Sequence, residues 1–241
     1  MTVTSVADPV PVRRQVRNAA RTRQRVLAAA TREFTEHGLG GARIDRIAAR
    51  ARVNKQLIYY YFGGKTDLYV AVLEAAYAAM RSAEARLHLA DLDPVEGITR
   101  LAQFTWRYHI DNPGLISLVR TENLHRAKYL KQSGLLGGIT SPLVQAIGDL
   151  LRRGHQSGQF RRDADPIMVY LTIAALCVYY LGNHWTLETA FQRQLLSEPR
   201  LDEWGRHIVD VVLALLRAEP DAPPKKHHSP SGARKTEKKP A

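Results

Sequence analysis

Lys55, Gln56, Tyr59 and Tyr60 recur at one-, three- and four-residue spacing, which gathers their polar ends on one face of a helix. Each side chain offers hydrogen-bonding chemistry suited to a nucleic acid. A glutamine amide can pair bidentately with adenine, and an ammonium can reach guanine or a phosphate. Tyrosine hydroxyls can bond phosphate oxygens. Catalytic constellations, by contrast, are missing from the chain. Its nine histidines are scattered, and neither H-E-x-x-H, paired Cys/His spacing nor G-x-S-x-G occurs. Asp163 and Asp165 could pass for paired carboxylates, yet beside Pro166 they read as helix caps. The single cysteine, Cys177, excludes an intrachain disulfide and any multi-cysteine metal site. His227 and His228 could hold a stray metal weakly, but no enzyme activity, cofactor or dedicated metal site is expected.

The net charge of +12 is unevenly spread. Residues 1–70 carry 13 Lys/Arg against 5 Asp/Glu, residues 71–216 carry 15 against 15, and residues 217–241 carry 7 against 3. A basic N-terminal third beside a neutral body points to a polyanion-binding module. The 45% hydrophobic content is enough to build a core. Residues 1–12 lack the apolar stretch of a secretory signal. The longest apolar run, Ile167–Leu181, is shorter than the roughly 20 residues that span a bilayer. A cytoplasmic protein without a membrane partner is expected.

The elements that must position the polar face all read as helices, and no segment alternates with period two. Residues 1–17 read as a disordered basic arm. A first helix from Asn18 to His37 carries Val26, Leu27, Ala30 and Phe34 on one face, and Gly38, Gly40 and Gly41 end it. Ile44–Ala51 forms a short helix, and Asn54 caps another that runs to Phe62. Short helix, tight turn and second short helix on a basic background is the layout of a helix-turn-helix. Ile44, Ile47, Ala48, Val53, Ile58 and Phe62 supply the apolar contacts to lock it. After Gly63 and Gly64, Thr66 caps a long helix to Leu87. Pro94, Pro113, Pro142 and Pro166 open further helices, the last running to His184 and apolar nearly all round. A final helix, Leu201–Arg217, lines up Leu201, Trp204, Ile208, Val211, Val212, Leu215 and Leu216. Residues 218–241 read as a disordered basic tail.

The run from Ile44 to Leu68 resembles the signature of the TetR family of regulators. Its most distinctive part is Tyr59-Tyr60-Tyr61-Phe62 followed by Lys65 and Leu68, and Ala29, Phe34 and Gly38 extend the match over residues 20–70. The stretch Glu122–Leu130 resembles one C-terminal subgroup of the same family. The resemblance implies base-edge contacts from Lys55, Gln56 and Tyr59, a thymine-methyl contact from Leu57, and phosphate contacts from Arg43, Tyr60 and Lys65. Arg43 stands where the family has a threonine, Arg52 replaces a glycine of the turn, and Gly63-Gly64 replaces a proline–serine pair. Arg52 poses the question of whether the turn requires positive φ, which is costly with a side chain.

The fold class that follows is all-α: a helix-turn-helix domain at residues 18–65, joined by a long helix to an effector-binding and dimerisation domain at 66–217. The implied function is a ligand-responsive regulator. A repressor released from a pseudo-palindromic double-stranded operator is the leading form, and an activator or dual regulator the nearest variant. An architectural nucleic-acid binder without sensing is a competing class. The helix from Pro166 and the final helix are candidates for a homodimer interface. Trp106, Tyr108, His109, Asn123, Tyr129, Tyr170, Cys177 and Tyr180 are candidate walls for a small-molecule effector pocket, aromatic with a few polar tips.

Overall fold

The computed structural model describes residues 10–133, 141–162 and 164–217. Nine α-helices and two short 3-10 turns make up these residues, with one isolated bridge, Phe160 to Arg217, in place of any sheet. The helices are α1 (Val10–Gly41), α2 (Ile44–Ala51), α3 (Lys55–Phe62), α4 (Lys65–Ala85), α5 (Pro94–Asp111) and α6 (Pro113–Leu124). They continue with α7 (Ser141–Gln156), α8 (Pro166–Phe191) and α9 (Glu198–Leu216). Helix α1 starts eight residues before Asn18, so part of the anticipated arm is helical. Residues 1–9, Asp163 and the anticipated tail lie outside the described residues.

The glycines end α1 as expected: Gly38 leaves helical geometry at φ 62°, ψ 178°, and the chain turns into α2. Asn54 caps α3 through its side-chain oxygen, which accepts from Gln56 N–H at 2.9 Å. The start of α4 differs from the sequence expectation. Gly64 holds the cap position and Thr66 falls inside the first turn. Asp165 caps α8 by accepting from Ile167 N–H at 2.8 Å, and Asp93 caps α5 in the same way.

Two apolar cores divide the molecule. The first joins Val26, Ala30, Phe34, Ile47 and Ile58, all at most 1% exposed, to Leu68, Tyr69, Val72 and Leu73 on α4. It also takes in Leu118 from α6, with Tyr129 against it. The head therefore extends past residue 65, and α6 packs directly on α1. This contact is close: a Cβ on Gly114 would stand 2.8 Å from Thr35 Cγ2. Phe34, Tyr69 and Tyr129 form an edge-to-face series with centroids 5.1 and 5.5 Å apart, a favourable aromatic geometry.

The second core gathers Ile98, Leu101 and Trp106 of α5, Ile147 and Leu150 of α7, Ile173 and Cys177 of α8, and Ile208, Val212 and Leu216 of α9. Helix α8 is long and apolar enough to cross a membrane by length and composition alone. It instead runs through the body with Val169, Ile173, Cys177 and Tyr180 buried. It is not buried on all sides, as its composition had suggested. Met168, Leu171 and Tyr179 are 59%, 51% and 62% exposed and share its outer face, and Trp185, six residues after Tyr179, is also exposed.

Candidate nucleic-acid interface

Helix α3 has only eight residues, too few to hold its shape alone. Two anchors fix it: Ile58 is fully buried and Phe62 nearly so, four residues apart on the inward face. That register turns Lys55, Gln56, Leu57, Tyr59 and Tyr60 outwards, and all five are exposed. Tyr60 is the most open at 80%, and Tyr61 is half-buried with its ring 5.2 Å from that of Tyr60. The predicted base-reading and phosphate-binding side chains thus share one surface. Lys55 Nζ lies 2.8 Å from Asp45 Oδ1, and this hydrogen bond raises the lysine pKa, keeping it charged.

The flanks of α3 are also basic. Arg43 stands in the N-cap position of α2 but makes no side-chain cap; its guanidinium is exposed. Its backbone N–H donates to Glu33 Oε1 at 3.0 Å, and Arg46 Nε donates to the same oxygen at 2.5 Å. Burial alone would raise the pKa of Glu33, but these bonds outweigh it and hold the carboxyl below its usual value. Glu33 thereby fixes α2 against α1. Lys65, at the first position of α4, donates to the Gly40 carbonyl at 3.3 Å. It stands beside a helix N-terminus, where backbone N–H groups and the helix dipole favour a phosphate.

Arg52 answers the question its position raised. It lies at φ 52°, ψ 51°, the left-handed conformation for which glycine is favoured, and its N–H closes α2 onto Ala48 and Ala49. Arg25 on α1 clamps this turn by donating from Nη2 to the Arg52 carbonyl at 2.9 Å and to that of Ala51. Arg23, two residues earlier on α1, lies 4.9 Å over the Phe62 ring. The sequence reading did not single out Glu33, Arg25 or Arg23. Arginines on a basic helix give no sign of which will face inwards.

The eight candidate effector residues do not gather at one site. Trp106 donates to the Leu201 carbonyl at 3.0 Å, and Tyr180 stacks on Trp204 at 4.6 Å while donating to the Leu195 carbonyl. Cys177 is fully buried, and burial pushes its thiol up to about 12. These three are core. His109 Nδ1 lies 2.8 Å from the Thr105 carbonyl, burial lowers its pKa, and it borders a 440 Å³ pocket with Arg120 and Trp185. Tyr108 packs beside Phe104, Asn123 is exposed and donates to the Val119 carbonyl, and Tyr129 belongs to the head core. Tyr170 accepts from Arg81 Nη2 at 3.1 Å.

A cavity of about 530 Å³ instead opens between the end of α4, the Leu89–Asp91 turn and α7. None of the eight lines it. Arg81, Glu84 and His88 do, with Leu89, Leu143 and Ala146 among the apolar walls. An i,i+3 Arg/Glu pair reads in a sequence as a solvated helix face, so it gave no signal of a buried site. Here Arg81 and Glu84 pair at 2.7 Å with side chains only 14% and 3% exposed.

Two family models match successive parts of the chain. The family model of bacterial regulatory proteins of the tetR family matches residues 26–72. A tetracyclin repressor-like C-terminal domain model matches residues 94–212. The HTH-type transcriptional repressor NicS of Pseudomonas putida is 34% identical over 203 residues, which cover 84% of this chain and 96% of that protein. An HTH-type transcriptional repressor of Streptomyces coelicolor is 42% identical over 109 residues, 45% of this chain and 53% of its own. The crystal structure of a putative transcriptional regulator of S. coelicolor aligns with a TM-score of 0.62 at 26% identity, covering 81% of this chain and 98% of that one. A tetR-family regulatory protein of Rhodococcus shares the fold with a TM-score of 0.66 at 16% identity, covering 83% and 98%.

Proposed function

This chain belongs to the TetR family of bacterial regulatory proteins, and from that premise we propose that it is a homodimeric repressor released from its operator by a small molecule. The observation that carries this reading is the single exposed surface formed by Lys55, Gln56, Leu57, Tyr59 and Tyr60, seated on buried Ile58 and Phe62. Gln56 and Lys55 read base edges with Tyr59, while Tyr60, Arg43 and Lys65 bind phosphates on either side. The protein works in the cytoplasm, where its DNA is.

Helix α4 links the two activities. Leu68 and Tyr69 near its start are fully buried in the head core, and Arg81 and Glu84 near its end line the 530 Å³ cavity. Sixteen residues at about 1.5 Å each place these ends roughly 24 Å apart on one rigid element. A ligand that pushes on the far end tilts the near end, and the paired recognition helices lose their match to successive major grooves. For full reversal it must favour the DNA-incompetent state on the order of 10⁴-fold. The second chain covers the outer face of α8, where Met168, Leu171 and Tyr179 would otherwise remain an apolar patch, together with Leu215 of α9.

Genomic footprinting tests the proposal. The expected result is a two-fold symmetric protected site that neighbours one transcription unit and is vacated on adding an effector. Uniform coverage without symmetry would instead indicate an architectural binder.

A further inference from the structure

Among the described residues, Glu84 is a buried acidic side chain placed on a cavity wall. Apart from the ion pair of Oε2 with Arg81 Nη1, neither of its oxygens has a hydrogen-bond partner in the protein. A buried carboxylate with open acceptor sites is costly unless something donates to it. Arg81 Nε and Nη1 are likewise buried without a hydrogen-bond partner beyond that ion pair. Its Nη2 donates to the Tyr170 hydroxyl, its guanidinium lies 5.6 Å over the Tyr170 ring, and Glu84 matches its charge. The remaining charged side chain of the wall is another acid, Asp91, with His88 and Ser82 beside it. The rest is apolar: Ala85, Leu89, Ala90, Pro142, Leu143 and Ala146.

We infer that this cavity binds an organic cation with N–H donors on an apolar body, with Glu84 as its counter-ion and hydrogen-bond acceptor. The inference rests on the effector reading above and names the chemical class of the effector. An ammonium or amidinium group supplies donors for the open oxygens of Glu84 and balances a wall that carries two acids, Glu84 and Asp91, against one arginine. A carboxylate ligand would have to enter against Glu84 and Asp91 to reach a guanidinium whose charge Glu84 already matches. At about 530 Å³ the cavity suits a compact aromatic or alicyclic amine.

Titration gives the site a second signature. Burial pushes Glu84 up to about 7, against the opposing pull of Arg81. A bound cation would hold the carboxylate ionised, so binding would release a proton and tighten as pH rises from 6 to 8. The groups around Glu84 are Arg81 on its own helix, His88 and Asp91 on the turn, and Tyr108 on α5; the described lining residues of α7 bring no charge. His88 also stands on this wall, so Glu84 must be removed to assign the slope.

Titration calorimetry of the full chain with tryptamine, tryptophol and indolepropionate, which share one apolar body, tests the inference. The amine should bind at least tenfold tighter than the alcohol or the carboxylate. Glu84→Gln should remove most of that preference and flatten its pH slope while leaving the alcohol unchanged. Should Glu84→Gln fail to fold, the order of the three probes on the wild-type chain still decides the matter. Amine binding no tighter than that of the alcohol or carboxylate, or unaffected in a folded Glu84→Gln chain, overturns the inference. Operator release, followed separately by fluorescence anisotropy, keeps the two readings apart. An amine that binds through Glu84 without releasing DNA upholds the cation site and contradicts the effector role. A carboxylate that binds more tightly and releases DNA does the opposite.

Discussion

Arg25 on α1 donates to the carbonyl of Arg52 at 2.9 Å, tying the first helix of the head to the residue at positive φ in its turn. A side chain in the left-handed region costs energy, and the clamp holds the turn there nonetheless. Because Arg25 bonds to backbone oxygens, the clamp does not need the Arg52 side chain. Arg52→Gly should therefore stabilise the protein by about 1 kcal/mol. Urea unfolding measures this, and a loss of stability would show that the Arg52 side chain has a packing role.

Glu33 should behave as the reverse case. It is fully buried and joins Arg43 N–H and Arg46 to α1, so Glu33→Gln should cost about 2 kcal/mol at neutral pH. Its folded pKa lies below the 4.5 of the free group. The stabilisation is therefore present above pH 4.5 and lost as pH falls through the lower folded value. The gap between wild-type and Glu33→Gln unfolding midpoints should narrow in acid. A gap independent of pH would contradict the ionised cap.

Gln56 and Lys65 should separate reading from gripping. Gln56→Ala should relax preference at one base position by about 1–3 kcal/mol and leave binding to unrelated DNA unchanged. Lys65→Ala should weaken all sequences alike, since it serves phosphates. Anisotropy titrations on operator and mutated operator distinguish the two, and identical behaviour would erase the distinction.

The contact of Gly114 with Thr35 is where body meets head. Gly114→Ala should push α6 from α1, because the new methyl would stand 2.8 Å from Thr35 Cγ2. Affinity for the operator should fall, and Thr35→Ser, which removes that methyl, should restore much of it. A double-mutant cycle reads the coupling, and strictly additive effects would show that the junction does not transmit.

The head was legible because its signals are local. Glycines at 38, 40 and 41 end α1, Asn54 caps α3, and the Tyr59–Phe62 block fixes which side faces out. The fold class and most helix starts followed from caps and prolines in the same way. The effector region was not legible, because burial there is decided by packing between distant segments. Tyr180 and Trp106 were candidate pocket walls but pack on each other at 5.7 Å, while Arg81 and Glu84, which the sequence did not single out, are enclosed. Residue type alone does not separate a core aromatic from a wall.

The salt dependence of operator binding tests the grip through α3 most directly. The charged phosphate contacts of Arg43 and Lys65 on each chain give a dimer a slope of log affinity against log salt of roughly −3 to −4. A slope in that range, shallower by about two in Lys65→Ala, is the predicted result. A slope near zero would contradict the assignment of this surface to DNA.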